Sequence, residues 1–175
     1  MDLKEYIRSI PDYPKKGILF RDITTLIKNE KAFTYCIDQI VEKSKQFKFN
    51  KIAAVESRGF VFASAVSYIL NKPFILLRKK NKLPAETHSI DFELEYGTGS
   101  IEVHKDSINK KDSVIIIDDL VATGGTADAA AKLIKISSGK VAGFIFVINL
   151  FAIGGCNKRI KQGYKVENLI NFPGH

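Results

Sequence analysis

The sequence predicts an α/β protein, with a central, mainly parallel sheet flanked by helices. Three observations predict it. Residues 113–119 (SVIIIDD) hold four consecutive β-branched side chains, Val114 to Ile117, and such a run implies burial on both faces of a parallel sheet. Apolar strand-like runs alternate with helix-period segments along the chain, the order that builds parallel strands with crossover helices. The length, 175 residues, suits one domain around one sheet, and no repeat or linker divides it.

Residues 2–9 read as a short helix, ended by Pro11 and Pro14. Residues 17–25 (GILFRDITT) read as a short extended or irregular segment. From about 30 to 47, Phe33, Cys36, Ile37, Ile40 and Val41 recur at i, i+3, i+4, i+7 and i+8, which predicts an amphipathic helix. Ile52-Ala53-Ala54-Val55 predicts a short buried strand, 58–70 a buried helix rich in Phe, Val and Ala, and 73–77 another apolar strand. Residues 85–104 mix polar and apolar residues in rough alternation. They predict a hairpin that emerges from the main body with a mobile tip, with Gly97-Thr98-Gly99 as its turn. After the 113–119 strand, 122–126 (ATGGT) is a turn. A helix over about 125–136 follows, with Ala127, Ala130, Ala131 and Ile134 inward and Lys132 and Lys135 outward. Residues 141–150 form a further strand, a short helix follows Gly154-Gly155, and 166–170 form the last strand.

Composition narrows the function. No run approaches the ~18 apolar residues of a membrane span. Asp2, Lys4, Glu5 and Arg8 stand where a signal peptide needs an apolar stretch, so a cytoplasmic protein without a membrane partner is expected. Cys36 and Cys156, the two cysteines, lie in no CxxC spacing, which argues against a disulfide scaffold or structural zinc. Lys and Arg number 27 against 19 acids, a net charge of +8. That balance fits solvated lysines equally with a polyanionic ligand, either nucleic acid or a phosphorylated small molecule. The dense basic run, Arg78-Lys79-Lys80 with Lys82, is too short for a nucleic-acid tail.

The chemistry gathers where the 113–119 strand ends, since open α/β sheets bind ligands outside the carboxyl ends of their strands. Asp118 and Asp119 come first, then Ala122, Thr123, Gly124, Gly125 and Thr126. A small, hydroxylated, Gly-rich turn entering a helix presents backbone N–H groups and the positive helix end to an anion the size of one phosphate. Gly124 and Gly125 lack the Cβ atoms that would hold a phosphate off the backbone. Two carboxylates beside a phosphate would repel it, but suit neighbouring hydroxyls such as a ribose diol. The plain alternative is an ordinary βα turn with Asp119 as a helix cap. Four β-branched residues and two acids in front of the turn argue against it. GxxxxGK[ST] and a strand-linked GxGxxG are both absent, so neither a P-loop nor a dinucleotide fingerprint is present.

The stretch VIIIDDLVATGGT, residues 114–126, closely resembles the phosphoribosyl-pyrophosphate signature of type I phosphoribosyltransferases. Phe20-Arg21-Asp22-Ile23-Thr24, Glu56-Ser57-Arg58-Gly59-Phe60, Arg78 to Pro84, Leu94-Glu95-Tyr96-Gly97 and Phe172-Pro173-Gly174-His175 follow in family order. They narrow the resemblance to the adenine-using branch, over residues 10 to 175.

The resemblance implies the fold of that family in one domain over 1–175, with a small hood at about 1–28 and a flexible hairpin at 85–104. It implies a salvage reaction in which adenine and phosphoribosyl pyrophosphate give AMP and pyrophosphate, with Mg2+ held mainly through the substrate's pyrophosphate and ribose hydroxyls. Ala122 to Thr126 would hold the 5-phosphate, and Asp118 and Asp119 the ribose hydroxyls. Arg58, with Arg78, Lys79 and Lys82, would face pyrophosphate. A cis peptide is expected at Glu56–Ser57, placing Ser57 in that loop. Phe20 and Leu120 would flank adenine, and Leu19 and Arg21 would read its edge through the backbone. Glu95 would be the catalytic acid/base, with Glu93 nearby as a competing candidate. A homodimer without a nucleic-acid partner follows from the same resemblance. Two other readings keep the fold: a different acceptor base, which the FRDIT segment disfavours, and a regulator that senses the ribosyl ligand. The regulator reading lacks room for a DNA-binding module and is disfavoured by the presence of Glu95 and Arg58.

Overall fold

The computed structural model describes residues 1–94 and 97–174. Asp2 caps a single 3-10 turn, Leu3–Tyr6, by accepting the Lys4 N–H at 2.9 Å. The chain then enters β1 (Arg8–Pro11), which pairs antiparallel with β2 (Leu19–Asp22) in a small separate sheet. The helix expected over 2–9 is therefore corrected to one turn plus a strand. A helix that short is marginal, and the pairing with β2 offers the backbone better partners. Arg8 locks the register by its ion pair to Asp22 at 2.6 Å. Asp22 in turn accepts the Thr24 N–H and starts α1 (Thr24–Ile27). Residues 17–25 thus contain the strand β2 and the first two residues of α1.

α2 (Glu30–Ser44) begins where Asn29 accepts the Ala32 N–H, an N-cap of the usual kind. β3 (Lys51–Val55), α3 (Arg58–Leu70) and β4 (Phe74–Lys79) make the first parallel crossover. β5 (Thr87–Leu94) and β6 (Gly97–His104) pair antiparallel. The remainder runs β7 (Ser113–Val121), α4 (Gly125–Ile136), β8 (Lys140–Leu150), α5 (Gly155–Lys161) and β9 (Val166–Phe172). Among the described residues, seven strands form the main sheet in the order β5-β6-β4-β3-β7-β8-β9, parallel from β4 to β9.

Two expectations about the hairpin change. β6 pairs antiparallel with β4, Arg78 opposite Glu102 and Lys79 opposite Ile101, so the hairpin is the edge of the main sheet rather than an excursion from it. Gly97 and Gly99 lie in β6, opposite Leu94 and Phe92, so they are strand residues and not the turn. The tip itself lies outside the described residues.

β7 shows why the sheet is buried on both faces. Ile115 and Ile117 enter the core shared with α2 and α3, alongside Ile40 and Phe62. Val114 and Ile116 enter the core shared with α4 and the hairpin, alongside Leu133 and Ile101. Successive strand side chains point to opposite faces, so one β-branched run serves both cores. From β3 the chain winds outward to β4, while from β7 it winds the other way through β8 to β9. The carboxyl ends of β3 and β7 therefore adjoin at the switch point, where α/β sheets open a crevice.

Candidate active site

A cavity of about 440 Å3 opens at that switch point. Its floor is the end of β7. Both aspartates are buried, with Asp118 9% and Asp119 4% exposed. Asp118 accepts the Asp119 N–H at 2.9 Å and lies against the first turn of α3. Gly59 makes room there, since a Cβ at that position would stand 2.6 Å from Asp118 Oδ1. Arg58 Nε lies 2.9 Å from Asp119 Oδ2. The alignment is that of an ion pair, so among the described residues this oxygen has no hydrogen-bond donor.

Burial pushes both carboxyls above their ordinary range. Asp118 rises well above it, because the charge of Asp119 adds to the effect of burial, while Arg58 counters the rise at Asp119. A buried carboxylate oxygen without a donor is suited to a ligand hydroxyl, which donates.

β7 runs to Val121, two residues past the expected end, so Leu120 stays on the strand and reaches the cavity wall. Ala122, Thr123 and Gly124 then turn into α4, with Gly124 at φ +84°, a conformation that favours glycine. Gly125 opens the helix under β5, where a Cβ would meet the Glu93 carbonyl oxygen at 2.7 Å. Thr126 also lines the cavity. The turn is braced from behind. The Gly155 N–H donates to the Ala122 carbonyl at 3.0 Å, and Arg159 Nη1 donates to the Gly124 carbonyl at 3.1 Å.

The opposite wall comes from the end of β3. The Glu56–Ser57 peptide is cis, and Glu56, Ser57 and Arg58 all line the cavity, as does Lys79 at the end of β4. Arg78 and Lys82 are not among the lining residues. Arg78 Nε donates to Glu56 at 2.7 Å and its Nη1 to the Lys82 carbonyl at 3.2 Å. Burial pushes the Glu56 carboxyl up, but the hydrogen bonds from Arg78 and the Lys79 backbone outweigh it, so Glu56 titrates below its ordinary range.

β2 lies beside this wall. Leu19, Phe20 and Arg21 do not line the cavity, but the Phe20 ring centroid is 5.4 Å from Arg58 Cζ, and Tyr13 meets the ring edge-on at 5.1 Å. The Arg21 side chain is engaged elsewhere, donating to the Ser9 hydroxyl and lying 4.1 Å from the Phe172 ring centroid. Glu95 lies outside the described residues. Glu93, two positions before it, lines the cavity.

Nothing in the sequence pattern singles out Phe146 or Arg159, and Gly155 reads there only as the start of a short helix. Phe146 reaches the cavity because it stands opposite Asp118 across the β7–β8 ladder, a register only the folded sheet reveals. Glu56 was legible in principle, since it directly follows the strand 52–55, as Arg58 nearly does.

An acid pair and a Gly-rich turn thus meet at the parallel switch point. In comparison with known proteins, residues 23–170 match the phosphoribosyl transferase domain. The adenine phosphoribosyltransferase of Pelagibacter ubique is 74% identical over 175 residues, covering 100% of both chains. Among solved structures, adenine phosphoribosyltransferase from Thermoanaerobacter pseudethanolicus superposes with a TM-score of 0.93 at 47% identity, covering 98% of each chain. The Saccharomyces cerevisiae enzyme, complexed with adenine and an imino-altritol bisphosphate, gives 0.87 at 34% identity, covering 96% of each. The chain belongs to the adenine phosphoribosyltransferase family.

Proposed function

We propose that this chain transfers the 5-phosphoribosyl group from phosphoribosyl pyrophosphate to adenine, giving AMP and pyrophosphate. The observation that carries this is the junction of β7 and α4, where two buried carboxylates stand directly before a Gly-rich turn. Ala122 to Thr126 hold the 5-phosphate through backbone N–H groups, the Thr123 and Thr126 hydroxyls and the α4 N-terminus. Asp118 and Asp119 accept the ribose hydroxyls. Arg58, Ser57 and Lys79 face the pyrophosphate from the β3 and β4 ends, with Arg78 and Lys82 behind them. The yeast relative is complexed with adenine and an imino-altritol bisphosphate, which supports adenine as the acceptor.

Displacement at the anomeric carbon passes through an oxocarbenium-like state, as in glycoside hydrolysis. Positive charge grows on the ribose, where the aspartates lie, and negative charge grows on pyrophosphate, where Arg58 and Lys79 lie. Phe20 and Leu120 flank the purine, with Leu19 and Arg21 reading its edge through the backbone. A backbone acceptor facing the 6-amino group rejects a 6-oxo purine. Glu95 exchanges the proton that adenine N9 loses. Mg2+ would be held mainly by the substrate's pyrophosphate and ribose hydroxyls, with Asp118 and Asp119 fixing those hydroxyls as hydrogen-bond acceptors. When bound, it neutralises charge on the departing pyrophosphate.

A cytoplasmic homodimer belongs to the same reading. Among the described residues no helix is long and apolar enough to cross a membrane. Tyr68, Ile69 and Leu76 are exposed apolar side chains on α3 and β4 that a second copy would cover. Sedimentation equilibrium tests the dimer, and a monomer at micromolar concentration rejects it.

The deciding experiment is pyrophosphate release with Mg2+ and each of adenine, guanine, hypoxanthine and orotate. Release with adenine far above the other bases is expected. Release with guanine but not adenine would overturn the base assignment.

A further inference from the structure

Arg159 is a fully buried cation behind the phosphate turn, 0% exposed on α5. Its Nη1 donates to the Gly124 carbonyl at 3.1 Å and lies 3.0 Å from Asp128 Oδ1 in the first turn of α4. Among the described residues, its Nε and Nη2 have no hydrogen-bond partner. The guanidinium carbon is 3.7 Å from where a Cβ on Gly124 would be, so the charge sits directly under the turn. Asp128 is also 3.4 Å from Lys132 Nζ, so one carboxylate serves two cations and a positive excess remains beside the turn.

That arrangement is a poor one for stability alone. Replacing a buried, partly satisfied ion pair by apolar side chains is often neutral or stabilising. It is a good arrangement for an anion above the turn. In a trans peptide the C=O and the following N–H point in opposite directions. The Gly124 carbonyl already accepts the Asp128 N–H at 2.9 Å as α4 begins, and Arg159 is a second donor on the same oxygen, so the two together hold the Gly125 N–H up toward the cavity. The same guanidinium also places a permanent charge in a region where water screens little.

We propose that Arg159 is a positioning residue for the 5-phosphate. It fixes the Gly124–Gly125 peptide and lends buried positive charge to a phosphate monoester dianion held on the turn. This rests on the reading that residues 122–126 bind the 5-phosphate.

Calorimetric titration with ribose 5-phosphate, and separately with pyrophosphate, tests it on wild type, Arg159→Leu, Arg159→Lys and the double variant Arg159→Leu/Asp128→Asn. Losing a charge-assisted bond and its buried charge is expected to weaken ribose 5-phosphate by about 10- to 100-fold in Arg159→Leu. Pyrophosphate should stay within about twofold on the same principle, because it binds away from the turn. Arg159→Lys should recover part of the affinity by keeping the charge. The double variant removes both charges of the pair, so it carries the test if the single variant does not fold, and it should bind ribose 5-phosphate more weakly than wild type but less weakly than Arg159→Leu, which leaves the Asp128 charge beside the turn. Unchanged ribose 5-phosphate affinity in the leucine variants, or an equal loss for both ligands, would make Arg159 a packing residue and overturn the proposal. If wild type itself bound no ribose 5-phosphate, the phosphate-turn reading would fall and the inference with it.

Discussion

Arg58 Nε and Asp119 Oδ2 lie 2.9 Å apart, joining the start of α3 to β7 at the cavity lining. In the proposed reaction these are the two sides that must part in charge, one facing pyrophosphate and the other the ribose. The Arg58 side chain is 43% exposed but Asp119 is buried, so Arg58→Ala leaves a buried carboxyl without its counter-charge and should cost some stability while still folding. Its kcat/KM for phosphoribosyl pyrophosphate should fall by about 10²- to 10³-fold, the usual cost of removing one preorganised group from a site of developing charge. Steady-state kinetics with adenine saturating measures this, and a change of less than about threefold would remove Arg58 from the chemistry.

Asp118 leads to a trade between stability and binding. Burial and the charge of Asp119 raise its carboxyl well above the ordinary range in the folded protein. A group whose folded pKa is raised favours folding below its unfolded pKa and loses that contribution as pH rises through the folded value. Asp118→Asn removes the cost, and its carbonyl can still accept the Asp119 N–H. The variant should thus melt above wild type at pH 8, by about 2–4 °C for each kcal/mol recovered. The gap should close as pH falls toward the ordinary carboxylate range. Donor affinity should drop at the same time, since the ribose loses a charged acceptor. Equal melting temperatures at pH 8 would mean that Asp118 carries no strain of this kind, and undiminished donor affinity would contradict its ribose role.

How far the sequence carries the structure depends on the range of the interaction. Local signals are legible: the β-branched run of β7, the amphipathic period of α2 and the Gly-rich turn before α4 each appear where composition places them. Contacts set by partners are not. Residues 8–11 carry no strand pattern of their own and become a strand because β2 is there to pair with them. The hairpin becomes a sheet edge only because β6 meets β4 at Arg78 and Lys79. The candidate site divides in the same way. Asp118, Asp119 and the 122–126 turn are contiguous in sequence and can be read together. Phe146 and Arg159 arrive from β8 and α5 through register and packing, which no local pattern encodes.

Gly155 illustrates the second kind of contact and can be tested. A Cβ there would stand 2.3 Å from the Ala122 carbonyl oxygen and 3.0 Å from the Gly124 nitrogen, both backbone atoms of the 122–126 turn. Gly155→Ala should displace the turn and weaken AMP by about tenfold or more, the scale of one lost charge-assisted hydrogen bond. Gly163 makes the control. It has φ +86° with nothing within 4 Å of a Cβ, so Gly163→Ala should cost about 1–2 kcal/mol of stability with AMP affinity retained. Equal AMP affinity in the two variants would show that α5 does not brace the turn.

The acid/base assignment separates two neighbouring glutamates. Glu93 lines the cavity, and its carbonyl packs close to Gly125, so β5 passes beside the 122–126 turn. That close backbone approach does not involve the Glu93 side chain, while Glu95 is the residue proposed above to exchange a proton with the purine. Glu95→Gln should therefore lower kcat by about 10²- to 10⁴-fold, the typical yield of a positioned acid/base, and leave donor affinity within about threefold. Glu93→Gln should lower kcat by less than about fivefold on the same scale, since its backbone contact survives the change. Rapid-quench measurement of AMP formation, paired with equilibrium donor binding, separates chemistry from binding in both variants. A large loss in Glu93→Gln with normal turnover in Glu95→Gln would transfer the proton-exchange role to the residue already seen at the cavity wall.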